Sequence, residues 1–353
     1  MKVESAVAKK PSRSDAPASI SIKDTPVDIL IELYTKMIRI RRFEEAAFQQ
    51  YQKGSIVGFC HLYIGQEAVA VGSLSVLNPG DKVLTAYRDH AHALALGMTA
   101  DSLMAELFGK ATGCSKGKGG SMHFFSAEHG MLGGNGIVGS HVPVATGAAF
   151  AQKYQRNRGV TLCFFGDGAA QQGAVHEAMN LAGLWRLPIV FVVENNKYGM
   201  GTAVERSSAI KDFYKRADAY NFPGMQCDGM NVLDVREKFA EAVNAARENF
   251  TPCFIEAKTY RYRGHSMSDP ALYRTAEEVE KYKHLDPILV LKSDLLKKGT
   301  SESQLEGIDK AAKDEAKASV DFAAASPEPE LSEGIKDIYA RPWGGNLLPK
   351  IEI

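Results

Sequence analysis

The chain has 353 residues, 45% hydrophobic and 24% charged, and its 42 basic side chains balance 42 acidic ones. That is ordinary for a soluble globular protein with one large core or two smaller ones; it carries no polycationic signature of nucleic-acid binding, and no apolar run reaches membrane-spanning length. The five cysteines, Cys60, Cys114, Cys163, Cys227 and Cys253, are far apart and form no CxxC pair, so neither a zinc site nor a disulfide framework is expected.

Residues 1–24 are rich in Ala, Ser, Lys and Pro around no apolar signal core, which predicts a disordered arm. Glu4 and Asp15 interrupt an organellar transit pattern, and a reducing cytoplasm is the expected compartment. A long helix is predicted over 25–53, opened by Thr25-Pro26 and carrying an apolar stripe of Ile29, Leu30, Leu33, Met37, Ile40 and Phe43. Its Arg39, Arg41 and Arg42 read as solvated or paired. His61 follows in a turn before a helix over 66–77, where the ordinary role is a structural hydrogen bond.

A strand over 83–89 runs into a polar turn with Tyr87 and Arg88; the guanidinium fork suits phosphate oxygens, or an ion pair with Asp89. A short helix over 101–108 leads to Gly-Cys-Ser-Lys-Gly-Lys-Gly-Gly at 113–120. This looks like a phosphate loop but lacks the order GxxxxGK[ST], so a flexible connection or a subunit contact is expected. The glycines of 133–139 precede a helix over 144–154 and mark a sharp turn or a close backbone approach.

The centre of the chain reads as one βαβ unit: strand 160–165, Gly166-Asp167-Gly168, helix 171–184, strand 187–193, then Glu194-Asn195-Asn196-Lys197-Tyr198-Gly199. Parallel strands bring both polar turns to one sheet edge. There Asp167 offers a carboxylate and Asn196 an amide oxygen, donors suited to Mg²⁺. The helix beyond Gly168 aims its first amides at the same place, a seat for pyrophosphate.

A strand ends near 225–229. Helix 232–249 follows, and strand 252–261 delivers the polar loop Tyr260-Arg261-Tyr262-Arg263-Gly264-His265-Ser266-Met267-Ser268-Asp269-Pro270. Helices are predicted over 275–284, 287–298 and 301–325, and an irregular tail over 341–353. The alternation predicts one doubly wound α/β domain over 25–340, with a mostly parallel sheet and helical extensions at both ends.

GDG followed by ENN resembles the cofactor motif of thiamin diphosphate enzymes. GFCHLYIGQEA, TAYRDH, GCSKGKGGSMH, GGNGIVG, ENNKYGMGT and YRYRGHSMSDP extend that likeness over about 41–274. Together they resemble the alpha subunits of the first, thiamin-dependent components of 2-oxoacid dehydrogenase complexes. GHSMSDP favours the pyruvate form over the branched-chain and acetoin forms.

The resemblance implies a thiamin diphosphate-binding fold with Mg²⁺ held by Asp167, Asn196 and the Tyr198 carbonyl. It implies diphosphate contacts from Tyr87, Arg88, Gly168, Ala169, Arg261 and His265, pyrimidine contacts from Gly136 and Val138, and active-site histidines at His61 and His265. The implied reaction is oxidative decarboxylation of pyruvate, with the acetyl group passed to a lipoyl group on a second component. No glutamate in this chain matches the one such enzymes set against the aminopyrimidine. The resemblance assigns it to a beta subunit, in a two-alpha, two-beta heterotetramer.

Ser266 matches a phosphorylated serine of animal relatives, but 269–274 is shorter than their pattern and lacks the second serine. A bacterial, cytoplasmic enzyme is therefore expected, or a mitochondrial matrix one in a eukaryote. The competing class is a non-catalytic regulatory subunit. Loss of a metal ligand or of the loop histidine would favour it, and neither is lost.

Overall fold

The structure, a computed structural model, describes residues 25–339. The expected arm at 1–24 and tail at 341–353 lie outside the described residues. Six parallel strands form the sheet: β1 (Lys82–Ala86), β2 (Met131–Asn135), β3 (Thr161–Gly166), β4 (Ile189–Asn195), β7 (Gly224–Asp228) and β8 (Cys253–Lys258), in the order β2-β1-β3-β4-β8-β7. A separate antiparallel hairpin joins β5 (Tyr198–Gly199) and β6 (Thr202–Ala203). The α/β reading with a mostly parallel sheet holds.

β4 is buried at every position because helices cover both sheet faces, which is why its sequence is a continuous apolar run. Alternate residues of the central strands enter two cores. Phe164, Val190, Val192 and Ile255 pack with α1 (Val27–Gln52), α2 (Glu67–Leu74) and α8 (Val232–Asn249). Cys163, Phe165, Phe191, Val193 and Phe254 pack with α5 (His141–Gln155) and α6 (Gly173–Trp185). Burial of this apolar surface, at about 25 cal/mol per Å², is what holds the layers together.

Four further helices, α4 (Ala100–Leu107), α9 (Ala276–Lys283), α10 (Pro287–Lys297) and α11 (Glu302–Ala325), start on side-chain caps at Thr99, Thr275, Asp286 and Ser301. The α1 arginines are paired, as expected. Arg39 meets Glu315 and Arg42 meets Asp309 on α11, and Arg41 meets buried Glu67 and Asp286.

Several local readings are corrected. Residues 133–135 of the glycine-rich segment belong to edge strand β2 instead of a loop. Gly134 is required there, because a Cβ would lie 2.0 Å from Asp89 Oδ2. Residues after Arg88 turn at once into α3 (His90–Ala95), and a one-turn helix α7 (Val204–Ser207) follows the hairpin. The helix expected at 171 begins at Gly173. A 3-10 turn at Ala169–Gln171 comes first, and extended Gln172 separates the two.

The loop at 113–120 is neither a phosphate loop nor a bare connection. Its amides already have an anion, the Glu106 carboxylate, which accepts from Ser115, Gly117, Gly119 and Gly120 at 2.8, 2.9, 2.7 and 3.0 Å. Its Lys116 and Lys118 hold Asp337, so the loop also anchors the end of the described chain.

Candidate active site

The chain leaves β1 for β2 on one side and builds β3, β4, β8 and β7 on the other, so the carboxyl ends of β1 and β3 flank a topological switch point. Tyr87 and Arg88 follow β1, Gly136 and Val138 follow β2, Asp167 and Gly168 follow β3, Asn196 follows β4, and Arg261 lies just past β8. Parallel register pairs Gly166 with Glu194, which sets the turns of β3 and β4 side by side. Contact there is tight: a Cβ on Gly168 would sit 3.4 Å from the Gly199 Cα. The glycine at 168 serves this approach and not a left-handed turn, since its φ is −65°. A Cβ on Gly139 would lie 3.0 Å from Gln172, so the 136–139 loop rests beside the Ala169–Gln171 turn.

Three oxygens converge between β3 and β4. Asp167 is buried, its Oδ2 has no hydrogen-bond partner, and burial pushes its carboxyl up to about 6. The Asn196 amide nitrogen donates to Gln66 Oε1 at 3.0 Å, which turns Asn196 Oδ1 the other way, toward the Tyr198 amide at 3.4 Å. The Arg261 guanidinium reaches Asn196 Oδ1 at 3.5 Å and the Tyr198 carbonyl at 3.4 Å, both long for hydrogen bonds, so neither oxygen is saturated. One carboxylate, one amide oxygen and one carbonyl are hard donors. A set of one carboxylate and two neutral oxygens is unlike the thiolate and imidazole sets of zinc.

Beside these oxygens three rings meet. His61 lies 4.5 Å from Tyr87 and 5.1 Å from His265, and Tyr87 lies 5.5 Å from His265, centroid to centroid. His61 Nδ1 faces the His265 carbonyl at 2.9 Å. A carbonyl only accepts, so Nδ1 carries the proton and Nε2 keeps its lone pair. Burial and then the Arg88 charge hold His61 down to about 3 and His265 to about 4, so both rings are neutral near pH 7.

Arg88 does not pair with Asp89. It donates to the carbonyls of Leu62 at 2.7 Å and His265 at 2.8 Å, and burial, then Arg261, lowers it to about 10. The loop that carries His265 is closed by Asp269, which accepts from the amides of His265 and Ala271 at 2.6 and 2.8 Å and from the Tyr273 hydroxyl at 2.8 Å. Ser266 is buried, its hydroxyl 2.9 Å from that of Ser268. Large apolar side chains stand exposed around these positions: Val57 and Phe59 before His61, Ile137 and Val138 beside Gly136, Met200 after Tyr198, and Leu272 on the closed loop.

A model of the dehydrogenase E1 component family matches residues 35–332. The chain belongs to the dehydrogenase E1 component family. It is 51% identical to the pyruvate dehydrogenase E1 component subunit alpha of Rhizobium meliloti, over 94% of this chain and 95% of that protein. It is 47% identical to the subunit of the same name from Zymomonas mobilis, over 92% and 95%. A chloroplastic pyruvate dehydrogenase E1 component subunit alpha-3 from Oryza sativa is 44% identical over 96% of this chain and 82% of that one.

Within this E1 chain, Gln66, Asp269 and Tyr273 are site-supporting residues that sequence reasoning missed. A glutamine amid the apolar start of α2 was the one available signal for Gln66. Nothing local distinguishes Asp269 or Tyr273, whose partners are set by how the loop closes.

Proposed function

We propose that this chain is the alpha subunit of a thiamin diphosphate- and Mg²⁺-dependent pyruvate dehydrogenase, which decarboxylates pyruvate and passes the acetyl group to a lipoyl group of a second component. The observation that carries the reading is the buried Asp167 carboxylate, whose Oδ2 has no partner, beside the oxygens of Asn196 and Tyr198 at the switch-point edge of the sheet. A buried carboxylate without a partner is costly unless a cation joins it. The names of the relatives support the substrate.

In this reading Asp167, Asn196 and the Tyr198 carbonyl hold Mg²⁺, with Gln66 fixing which way Asn196 points. Arg88 spends two donors on carbonyls and keeps others, and with Tyr87, Gly168, Ala169, Arg261 and His265 it binds the diphosphate. Gly136 and Val138 offer backbone to the pyrimidine. Bound thiamin diphosphate supplies an electron-accepting centre for the pair left by departing CO₂. The chain's own task is to orient and to manage protons. His61, with Nε2 unprotonated, accepts a hydrogen bond from the reacting group, and His265 guides or protonates at the lipoyl step.

The exposed apolar side chains around the site fit a second subunit that covers it, the beta chain of a two-alpha, two-beta assembly. Among the described residues no helix is long and apolar enough to cross a membrane. The bacterial relatives support a bacterial enzyme, for which the cytoplasm is the proposed compartment.

The test is ferricyanide reduction by the chain co-expressed with its beta partner, with thiamin diphosphate and Mg²⁺, comparing the decarboxylation of pyruvate and 2-oxoisovalerate with the oxidative cleavage of acetoin. Pyruvate turnover that requires both chains is the expected result. A preference for another substrate would move the enzyme to a sister activity, and an inert, cofactor-loaded complex would overturn the catalytic reading. Substituting His265→Ala should abolish lipoyl acetylation; a wild-type rate would remove its assigned role.

A further inference from the structure

Beneath His61 lies a second array that the reaction does not use directly. Glu44 on α1, His90 at the start of α3 and Ser121 after the glycine loop are all buried. His90 Nδ1 is 2.9 Å from Glu44 Oε2, and His90 Nε2 is 2.8 Å from Ser121 Oγ and 3.1 Å from the Ser121 carbonyl. A serine, a histidine and a carboxylate in this order have the spacing of a nucleophilic triad.

The donor count excludes that. The other Glu44 oxygen accepts the Tyr63 amide at 2.8 Å. The Ser121 carbonyl can only accept. His90 Nε2 therefore carries a proton and is not free to act as a base toward the serine. Burial opposes the charge on His90, but Glu44 outweighs it and the ring is held above the usual histidine range. Ser121 Oγ, already accepting from His90, also accepts the His61 amide at 3.1 Å.

The array thus ends on two backbone amides, those of His61 and Tyr63, two residues apart in the segment that carries the His61 ring. We propose that Glu44, His90 and Ser121 are positioning residues for His61: a buried ion pair fixes the backbone at 61–63 and so holds the imidazole against Tyr87 and His265. This rests on the assignment of His61 to the active site. Breaking a buried ion pair by removing one partner is strongly destabilising, so the Ser121 end is the gentler place to probe.

The experiment is a double-mutant cycle on the co-expressed complex, with His61→Ala, Ser121→Ala and the double variant, and Ser121→Thr as the conservative partner. Turnover, KM for pyruvate, cofactor affinity and melting temperature are measured on each. Ser121→Ala is expected to lower kcat about tenfold, as small misplacements do, with KM and cofactor affinity unchanged. Ser121→Thr should recover most of it. The double variant should be no slower than His61→Ala, because Ser121 acts through His61.

Unchanged kcat in Ser121→Ala, or losses that add in the double variant, would overturn the proposal. So would a loss that tracks only the melting temperature. Wild-type turnover in His61→Ala would instead refute the assignment of His61, a failure separate from that of the array.

Discussion

At the scale of single residues, the site depends on polar groups whose partners fix their direction. Gln66 is buried and its Oε1 takes the Asn196 amide, so the oxygen of Asn196 is turned by a residue from another element. Supporting partners of this kind typically carry about 10–100-fold in metal affinity. Gln66→Leu should weaken Mn²⁺ binding in the presence of thiamin diphosphate by that order, read by electron paramagnetic resonance; unchanged affinity would mean another group orients Asn196. A second prediction concerns acid. His141 is buried, donates Nε2–H to the Phe164 carbonyl at 2.8 Å, and is lowered by burial from 6.5 to about 4. Between those values the unfolded chain binds a proton that the folded chain refuses. Its contribution is present above about pH 6.5 and lost as the pH falls toward about 4. Asp89, raised by burial to about 8, acts in the opposite sense, so the comparison must be made against a variant. Urea midpoints should fall less steeply from pH 6.5 to pH 4.5 in His141→Gln than in the parent; parallel slopes would refute the assignment.

At the scale of elements, the glycine loop shows how an anion-binding pattern can be satisfied from within. Four amides of 113–120 converge on the two oxygens of Glu106, which is fully buried. A Cβ at Gly113 or Gly117 would collide with Glu106 or with Gly109, so the glycines serve close packing. Glu106→Ala leaves four donors without their acceptor, and each unsatisfied buried group costs about 1–3 kcal/mol, less where water enters. Limited proteolysis should then cut within 113–120 well before global unfolding. A loop as resistant as the parent's would show that other contacts hold it. Because the loop leads into Ser121, the same variant tests how far its order is needed at His61.

At the scale of the whole molecule, the oxygens, arginines and histidines of the proposed site are gathered at one sheet edge, with exposed apolar side chains around them. Phe59 is 64% exposed only two residues from buried His61, an arrangement expected where another surface closes over the histidine. If the proposed beta subunit closes over His61, Phe59→Asp should leave this chain folded while reducing its co-purification with that subunit. Activity should return as partner concentration is raised. Normal assembly with this variant would place the partner elsewhere.

Much of the fold was legible because its signals are local. Apolar runs of strand length and helical stripes such as that of α1 give burial on known faces, and GDG and ENN at the ends of consecutive parallel strands must share an edge. The short elements β2, α3 and the β5–β6 hairpin were not legible. Each is stabilised by what it packs on: β2 by pairing with β1, α3 by packing on α1 and α2. The sequence by itself determined the α/β class and the central βαβ unit, whose two polar turns must share a sheet edge. Only the tertiary structure decided what each polar group touches. It gave the 113–120 amides to Glu106, turned Arg88 onto two carbonyls, and left Asp167 Oδ2 without a partner. The physical reason is that hydrogen bonds and burial between distant segments depend on angle and ångström-scale distance, which no local pattern of residues encodes.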